Sequence, residues 1–342
     1  VNYDTAMSGG CSGILGALQS ITTGDSNTAV GVQALALNTT ATGCTALGAN
    51  AGFDNTTGAE LTALGYFAGA DNTTGASNVF VGAGAGRLNT TSNNNTAVGY
   101  QALYSSTSGS GANSAVGYQA GYADTNGNAN VFHGYQAGSG VTSGSANVFV
   151  GYRSGSYVTP TTTGSSNTLI GSYTYSSSAT GAGAQALGHS IQTEAGYTTL
   201  GYASADIRAA NGSTTWSTVS DERYKKDIVD SEAGLSLINA LRPRTFNYKT
   251  LGELPETFRA YEEGSTEVFK SSQTQHGFIA QEVKAAIDAD SSIKDGFKLW
   301  DDREDGSQEV AEAALIPVLV KALQELSAKN DALEARIVTL ES

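Results

Sequence analysis

Over its first two hundred residues the chain repeats one short phrase: a polar residue, a Thr or another small polar or β-branched residue, a small or aromatic residue, an aliphatic and a glycine. It reads NTAVG at 27–31, CTALG at 44–48, LTALG at 61–65, NVFVG at 78–82 and NTAVG at 95–99. It continues as NSAVG at 113–117, NVFHG at 130–134, NVFVG at 147–151, NTLIG at 167–171 and TTLG at 198–201. The closing glycines (Gly31, Gly48, Gly65, Gly82, Gly99, Gly117, Gly134, Gly151, Gly171, Gly188 and Gly201) mostly fall 17 residues apart, with steps of 18, 20 and 13 as exceptions. An Ala follows three residues later in most units, at Ala34, Ala51, Ala68, Ala85, Ala102, Ala120 and Ala137. Between units the chain is rich in Asn, Thr, Gly and Ser, as in NTTG at 55–58 and 72–75.

This pattern predicts, for each unit, a short strand, a glycine kink, a second short strand and a polar turn. So short a coil cannot bury its few aliphatics alone and must stack on its neighbours, and on other chains. The expected interior is dry, aliphatic and alanine-lined, with the Asn/Thr turns outside. Disorder is the compositional alternative for a Gly/Ser/Thr/Asn-rich tract, but fixed spacing with aliphatics held in phase favours an ordered array.

The unit is similar to the stacked, left-handed β-roll repeats of trimeric autotransporter heads and phage tail fibres, over roughly 26–201. That resemblance implies a three-chained architecture. Five N-x-[ST] sequons, at Asn38, Asn55, Asn72, Asn89 and Asn94, recur in phase and mark turns more than glycosylation sites. The Gly-rich stretches lack the Lys and following helix of a phosphate loop. Calcium-binding repeats would need an Asp in each coil, and only Asp25, Asp54, Asp71 and Asp124 are present. His133 replaces an aliphatic and reads as a core or seam residue. Tyr66, Tyr100, Tyr118, Tyr135 and Tyr152 each follow a repeat glycine; they would form either a structural cover over the coils or a ladder for sugar stacking.

Charge divides the chain in two. Residues 1–200 carry nine charged side chains and the remaining 142 carry 41, within a formal net charge of −14. In the second part the apolar positions from Ile316 onward alternate three and four apart. As heptads, Ile316, Leu323, Asn330 and Ile337 occupy a, and Leu319, Leu326, Leu333 and Leu340 occupy d, which predicts a coiled coil with Asn330 fixing register. Pro317 fits its first turn.

Between array and coil stand STVSDERYKKDI at 217–228, LINALRPRTFNYK at 237–249, HGFIAQEV at 276–283 and LIPVLVKALQEL at 315–326. In this ordered set, over about 217–342, the chain resembles the intramolecular chaperone auto-processing domain of endosialidases, phage tail spikes and the myelin regulatory factor. Its S-D-x-R-x-K-x-x-I pattern is met by Ser220, Asp221, Arg223, Lys225 and Ile228. The resemblance implies a homotrimer that assists folding of the fibre and then cuts itself at Val219–Ser220, with Ser220 as nucleophile and Lys225 as base. Chemically, a Ser hydroxyl needs a base to take its proton, and a Lys serves only when desolvation or neighbouring positive charge lowers its pKa. Arg223 and Lys226 push that way; Asp221 and Glu222 oppose it. The alternative is Ser220 as a helix N-cap. The other motifs predict a helix ending before Pro243, a strand bearing Phe246 and Tyr248, then a strand entering a helix with Phe278, Ile279 and Val283 as core. His276 has a structural role. Residues 250–272 and 288–309 read as exposed acidic loops or arms.

The fold class expected is therefore a mainly β repeat array, a trimeric parallel β-roll or β-helix, followed by a small α+β domain and a C-terminal coiled coil. The domains expected are a lead-in at 1–25, the array at 26–204, a linker with the cleavage site at 205–219, the auto-processing domain at 220–311 and the coiled coil at 312–342. Scarce Lys and Arg argue against nucleic acid, and no apolar run approaches the ~18 residues of a membrane helix. Beginning at Val1 without a basic-then-apolar leader, the chain reads as a mature or internal fragment. Cys11 and Cys44 make no disulfide framework, and no cofactor or metal is expected. The functional expectation is a distal phage tail fibre or tailspike segment of the virion, with a host receptor or glycan and upstream tail proteins as partners. A trimeric bacterial surface adhesin with an uncleaved clamp is the alternative, though the C-terminus lacks the anchor strands of one. A polysaccharide-degrading spike would need a carboxylate pair that the array does not offer.

Overall fold

The computed structural model describes residues 4–7, 16–109, 111–291, 293 and 297–341; Cys11 lies outside them. The chain forms two compact units, Val1–Asp221 and Glu222–Ser342. The first is a β-solenoid of about ten turns. Each repeat supplies one short strand: β1 (Thr5–Met7), β2 (Thr28–Val30), β3 (Thr45–Leu47), β4 (Thr62–Leu64), β5 (Val79–Val81), β6 (Thr96–Val98), β7 (Ser114–Val116), β8 (Val131–His133), β9 (Val148–Val150) and β10 (Thr168–Ile170). Neighbours pair in parallel and in register, Ala29 on Ala46, Ala46 on Ala63, Ala63 on Phe80. After a two-residue strand β11 (Tyr175–Ser176), the sheet continues through β12 (Gln185–His189); β13 (Gln192–Thr193) pairs with β11, and β14 (Tyr197–Tyr202) follows β12. At ~4.8 Å between strands, ten turns build a stack of roughly 50 Å.

The second strand expected in each unit is instead a run of turns. Its residues visit the left-handed region at Gln33 (φ 60°), Phe67 (φ 56°) and Gln101 (φ 53°), which a strand excludes. A coil this short must reverse direction on few residues, and tight bends do this where a strand would run on. The closing glycines follow from the same stacking. Gly48 has φ +136°, and a Cβ there would sit 2.7 Å from the Gly65 carbonyl carbon one coil on.

The interior is built from two rows whose volumes compensate. The central strand residues Ala29, Ala46, Ala63, Phe80, Ala97, Ala115, Phe132 and Phe149 are buried. Opposite them run Leu35, Gly52, Gly69, Gly86, Leu103, Gly121, Gly138 and Gly155. Where one row carries Phe the other carries Gly: a Cβ on Gly69 would come 2.7 Å from the Phe80 ring. Opposite Ala29 and Ala97 stand Leu35 and Leu103, which accept positive φ, whereas opposite Ala46, Ala63 and Ala115 stand Gly52, Gly69 and Gly121, whose space is taken by Leu or Phe side chains of adjoining coils. Close packing then holds in every coil. The repeat alanines Ala34, Ala51, Ala68, Ala85, Ala102, Ala120 and Ala137 are all fully buried.

The polar corners correct one expectation: the turn asparagines lie inside. Asn38, Asn55, Asn72 and Asn89 are fully buried, so four of the five sequons are closed to a glycan in the folded array, while Asn94 is exposed. A coil stack leaves backbone N–H and C=O groups at each corner, and these need partners. An Asn amide offers both a donor and an acceptor. Asn78 Oδ1 accepts the Asn95 N–H at 2.8 Å and Asn78 Nδ2 donates to the Ser92 carbonyl at 2.8 Å. The pattern repeats from Asn113 to Asn130 to Asn147 to Asn167. A threonine ladder runs beside it, with Thr39, Thr56 and Thr73 each donating to the carbonyl of the next coil's Thr at 3.0, 2.9 and 2.8 Å.

Stacked rings line the exposed side. Tyr100, Tyr118, Tyr135 and Tyr152 follow one another with centroids 5.4, 4.9 and 5.0 Å apart and nearly parallel planes. Each inner ring face is covered by the next ring, so the row ties coils together and leaves edges, not platforms, to solvent. The first and third strand residues face away from the interior; this face holds Leu47, Leu64, Val81, Val98, Val116, Val150, Ile170 and Leu187, with His133 in the same row and no charged side chain. His133 Nε2 is 3.0 Å from Ser114 Oγ on the neighbouring strand. The last parallel strand is covered by an antiparallel β15 (Ala205–Ala210), itself bridged by Ser217 at Arg208. Thus the stretch expected as a linker begins with a strand that closes the sheet edge.

Phe80→Ala should lower the melting temperature by the equivalent of ~3–5 kcal/mol, and Gly69→Leu alone should cost ~1–3 kcal/mol by overpacking. The double variant should recover part of both losses, because Leu opposite Ala is the arrangement at Leu35 and Leu103; additive losses in thermal melts would refute this pairing.

Candidate processing and assembly site

In the second unit, a 3-10 turn at Glu222–Tyr224 precedes α1 (Leu235–Ala240). The chain then forms β16 (Arg244–Phe246), β17 (Gln275–Gly277), α2 (Ala280–Ala289), the hairpin of β18 (Trp300–Asp302) and β19 (Gln308–Val310), and α3 (Leu315–Glu341). The helix before Pro243 and the strand–helix of HGFIAQEV stand where the motifs predicted them, while the strand expected to bear Phe246 and Tyr248 ends at Phe246 and leaves Tyr248 beyond it. The acidic stretch 288–309 differs from its expectation as a loop, since β18 and the start of β19 fall in it. Trp300 stabilises that hairpin by packing on the domain core.

The core joins three of the four motifs. Leu237 from α1, Val283 and Ala286 from α2, and Leu315 and Val318 from α3 are buried together with Leu299. Two polar contacts fix their arrangement. The Arg244 guanidinium makes a two-pronged contact with Glu282, Nε donating to Oε2 at 2.9 Å and Nη2 to Oε1. Arg242 adds a third cationic contact at 3.5 Å. The Glu325 carboxylate of α3 accepts the Leu235 N–H at 2.9 Å, so one helix caps the first turn of another. Spacing gave no sign of either contact, because the partners lie 38 and 90 residues apart. His276 is exposed and pairs across the strand with Thr245.

α3 carries two apolar faces. Leu315, Val318 and Ala322 are buried in the unit's own core, whereas the a and d positions Leu319, Leu323, Leu326, Leu333 and Ile337 stay at least 44% exposed. A 27-residue helix with its heptad seam in solvent has an apolar stripe that its own unit does not cover.

The residues of the processing pattern lie at the surface. Val219 and Ile228 are 58% and 64% exposed, and Ser220, Arg223 and Lys225 are exposed as well, with Asp221 half-buried. Ser220 belongs to the first compact unit and Lys225 to the second. The Lys225 N–H donates to the Glu222 carbonyl at 2.9 Å, closing the 3-10 turn. That turn spans Glu222–Tyr224 and carries no buried residue.

Residues 220–290 match the family model for the chaperone of endosialidase. The matched stretch follows the β-solenoid in the chain and fits a domain of that family. The match opens on Ser220 itself, and within it fall the SDER, LRPRTF and HGFIAQEV motifs. No curated protein and no solved structure matches the chain. Among the described residues, no helix is long and apolar enough to cross a membrane, and no group of three or more His, Cys, Asp or Glu could hold a metal ion.

The Arg244 hydrogen bonds hold the Glu282 carboxyl below its usual range. A carboxyl so depressed stabilises the fold above its unfolded pKa and loses that contribution as pH falls through the folded one. Arg244→Ala should therefore lower the melting temperature of the chaperone domain at pH 7, and the gap to wild type should narrow below about pH 4. Differential scanning calorimetry at both pH values reads this; a gap independent of pH would leave the ion pair without a role.

Proposed function

We propose that this chain is a distal segment of a phage tail fibre or tailspike, whose C-terminal domain acts as a trimerisation chaperone and cuts the chain at Val219–Ser220. The observation that carries the reading is the chaperone-of-endosialidase match over 220–290, directly after a β-solenoid. A single-chain stack that must form coil upon coil over so long a sequence gains from a domain that gathers its copies first.

Trimer formation has two surfaces to work with. One is the exposed heptad seam of α3, whose a and d residues suit copies of the same helix. The other is the outward face of the long sheet, uncharged and rich in Val, Leu and Ile. Parallel sheets are normally covered on both faces, and an exposed apolar face of this length marks an association surface. The occupant proposed for both is a second and third copy of this chain.

In the proposed cleavage, Lys225 as free amine takes the Ser220 proton. The Ser220 oxygen then attacks the Val219 carbonyl, and the Val219–Ser220 amide breaks as its nitrogen is protonated. Water resolves the ester, releasing the shaft and the chaperone domain. Asp221, Arg223 and Ile228 complete the pattern. Partners on the reading are upstream tail proteins and a receptor or glycan on the host surface, and the location is the virion. A bacterial surface adhesin with an uncleaved clamp is the second reading, favoured if wild type stays whole.

Denaturing electrophoresis with mass spectrometry tests the reading. Wild type should yield a fragment beginning at Ser220, whereas Ser220→Ala and Lys225→Ala should give full-length trimers. Leu323→Asp should lose both trimer and cleavage. A folded wild-type trimer that is never cut would reject self-processing while keeping the clamp.

A further inference from the structure

One corner of the solenoid is lined, coil after coil, by Asn38, Asn55, Asn72, Asn89, Ser106, Asp124, Val141 and Thr161. The asparagines of this row bond in a fixed way. Asn38 Oδ1 accepts the Ala41 N–H at 3.0 Å. The Nδ2 of Asn72 donates to the Gly75 carbonyl of its own coil at 2.9 Å and to Asn55 Oδ1 of the coil before at 2.6 Å. Asn89 repeats the second bond to Asn72 at 2.5 Å. Asn38, Asn55 and Asn72 thus each use both the amide oxygen as acceptor and the NH2 group as donor.

Asp124 stands in the same place with a carboxyl. It is fully buried, and its Oδ1 accepts the Gly127 N–H at 2.8 Å, the counterpart of the bond from Ala41 to Asn38. The remaining oxygen falls where an asparagine carries its NH2 group, and this Oδ2 has no hydrogen-bond partner. Ionised, it would set a charged acceptor in a donor's place, away from water. Protonated, it would donate O–H as asparagine donates N–H.

The surroundings offer the anion little else. Ser106 precedes it in the row and Val141 follows it. Besides the Gly127 N–H, only the Asn130 amide acts on it, and no charged or titratable group is among its influences. Two coils before Asp124 the ladder is also short of partners, since Asn89 Oδ1 and Ser92 Oγ are buried without them. They face the 18-residue coil in which Ser106 replaces asparagine.

We propose that Asp124 is an internal proton switch of the solenoid: as a neutral acid it completes the corner ladder, and on ionising it loosens the coils around residues 104–127. Burial pushes its carboxyl up to about 7, far above the carboxylate of an unfolded chain. With the folded value raised, stability is greatest in acid and declines as pH rises from about 4 to about 7, each unit multiplying the opening equilibrium about tenfold. Above that range both states are ionised and the dependence from this group ends.

The test compares the full chain with Asp124→Asn, which restores the residue of the neighbouring coils, and with Asp124→Ser, the residue that Ser106 already supplies in this row. Thermal melts and limited proteolysis are run from pH 4.5 to 8.5, with cleavage sites mapped by mass spectrometry. Wild type should lose melting temperature as pH rises, with new cuts confined to 104–127. Both variants should show a flatter profile, and Asp124→Asn should melt above wild type at pH 8. Equal pH slopes in wild type and both variants would overturn the proposal. Cuts rising with pH elsewhere in the array but not at 104–127 would overturn it too.

Discussion

Every feature of the first unit follows from one constraint: each coil must satisfy its backbone and its interior through the coil next to it. The strands are only three residues long in most turns, too short to persist alone, so their hydrogen bonds exist only in the stack. The closing glycines, the buried asparagines, the threonine ladder and the in-register strands all serve that contact. Packing obeys it too, since Phe80 finds room only because Gly69 and Gly86 stand in the adjoining row. A mistake in one coil is therefore felt by two others.

How much of this was legible depended on whether the information lay within one repeat. The period, the strand positions and the buried alanines could be read, because each recurs at fixed spacing. The buried asparagines could not. Asn and Thr in a turn suggest solvent, and only a stack reveals that Asn72 must supply a bond to Asn55. The absence of a second strand was hidden for a similar reason: Gln33 and Gln101 are ordinary polar residues until their positive φ is seen. Size exchange between Phe80 and Gly69 was in the sequence, but became visible only once the two rows faced each other.

In the second unit the motifs marked the elements and missed the contacts that hold them. A helix before Pro243 and a strand leading into α2 follow from local pattern. The Arg244–Glu282 pair and the Glu325 cap join residues distant in sequence, and single-chain pattern carries no trace of such pairing. The heptad seam of α3 was read correctly as apolar, and it remains exposed within one chain. An exposed apolar stripe of this kind suits cover by other helices, which is the basis of the assembly proposed above. The outer face of the sheet is likewise uncharged and apolar.

The dependence of each coil on its neighbours is tested most directly by hydrogen exchange of the full chain, resolved along the sequence. If the stack is cooperative, amides between β2 and β14 should exchange far more slowly than in an unstructured chain. Protection should extend into the turn amides of Asn95, Asn130 and Asn147, which donate to the asparagine of the preceding coil. Slow exchange limited to the strand residues, with these turn amides exchanging freely, would contradict the claim that asparagine ladders hold coil to coil.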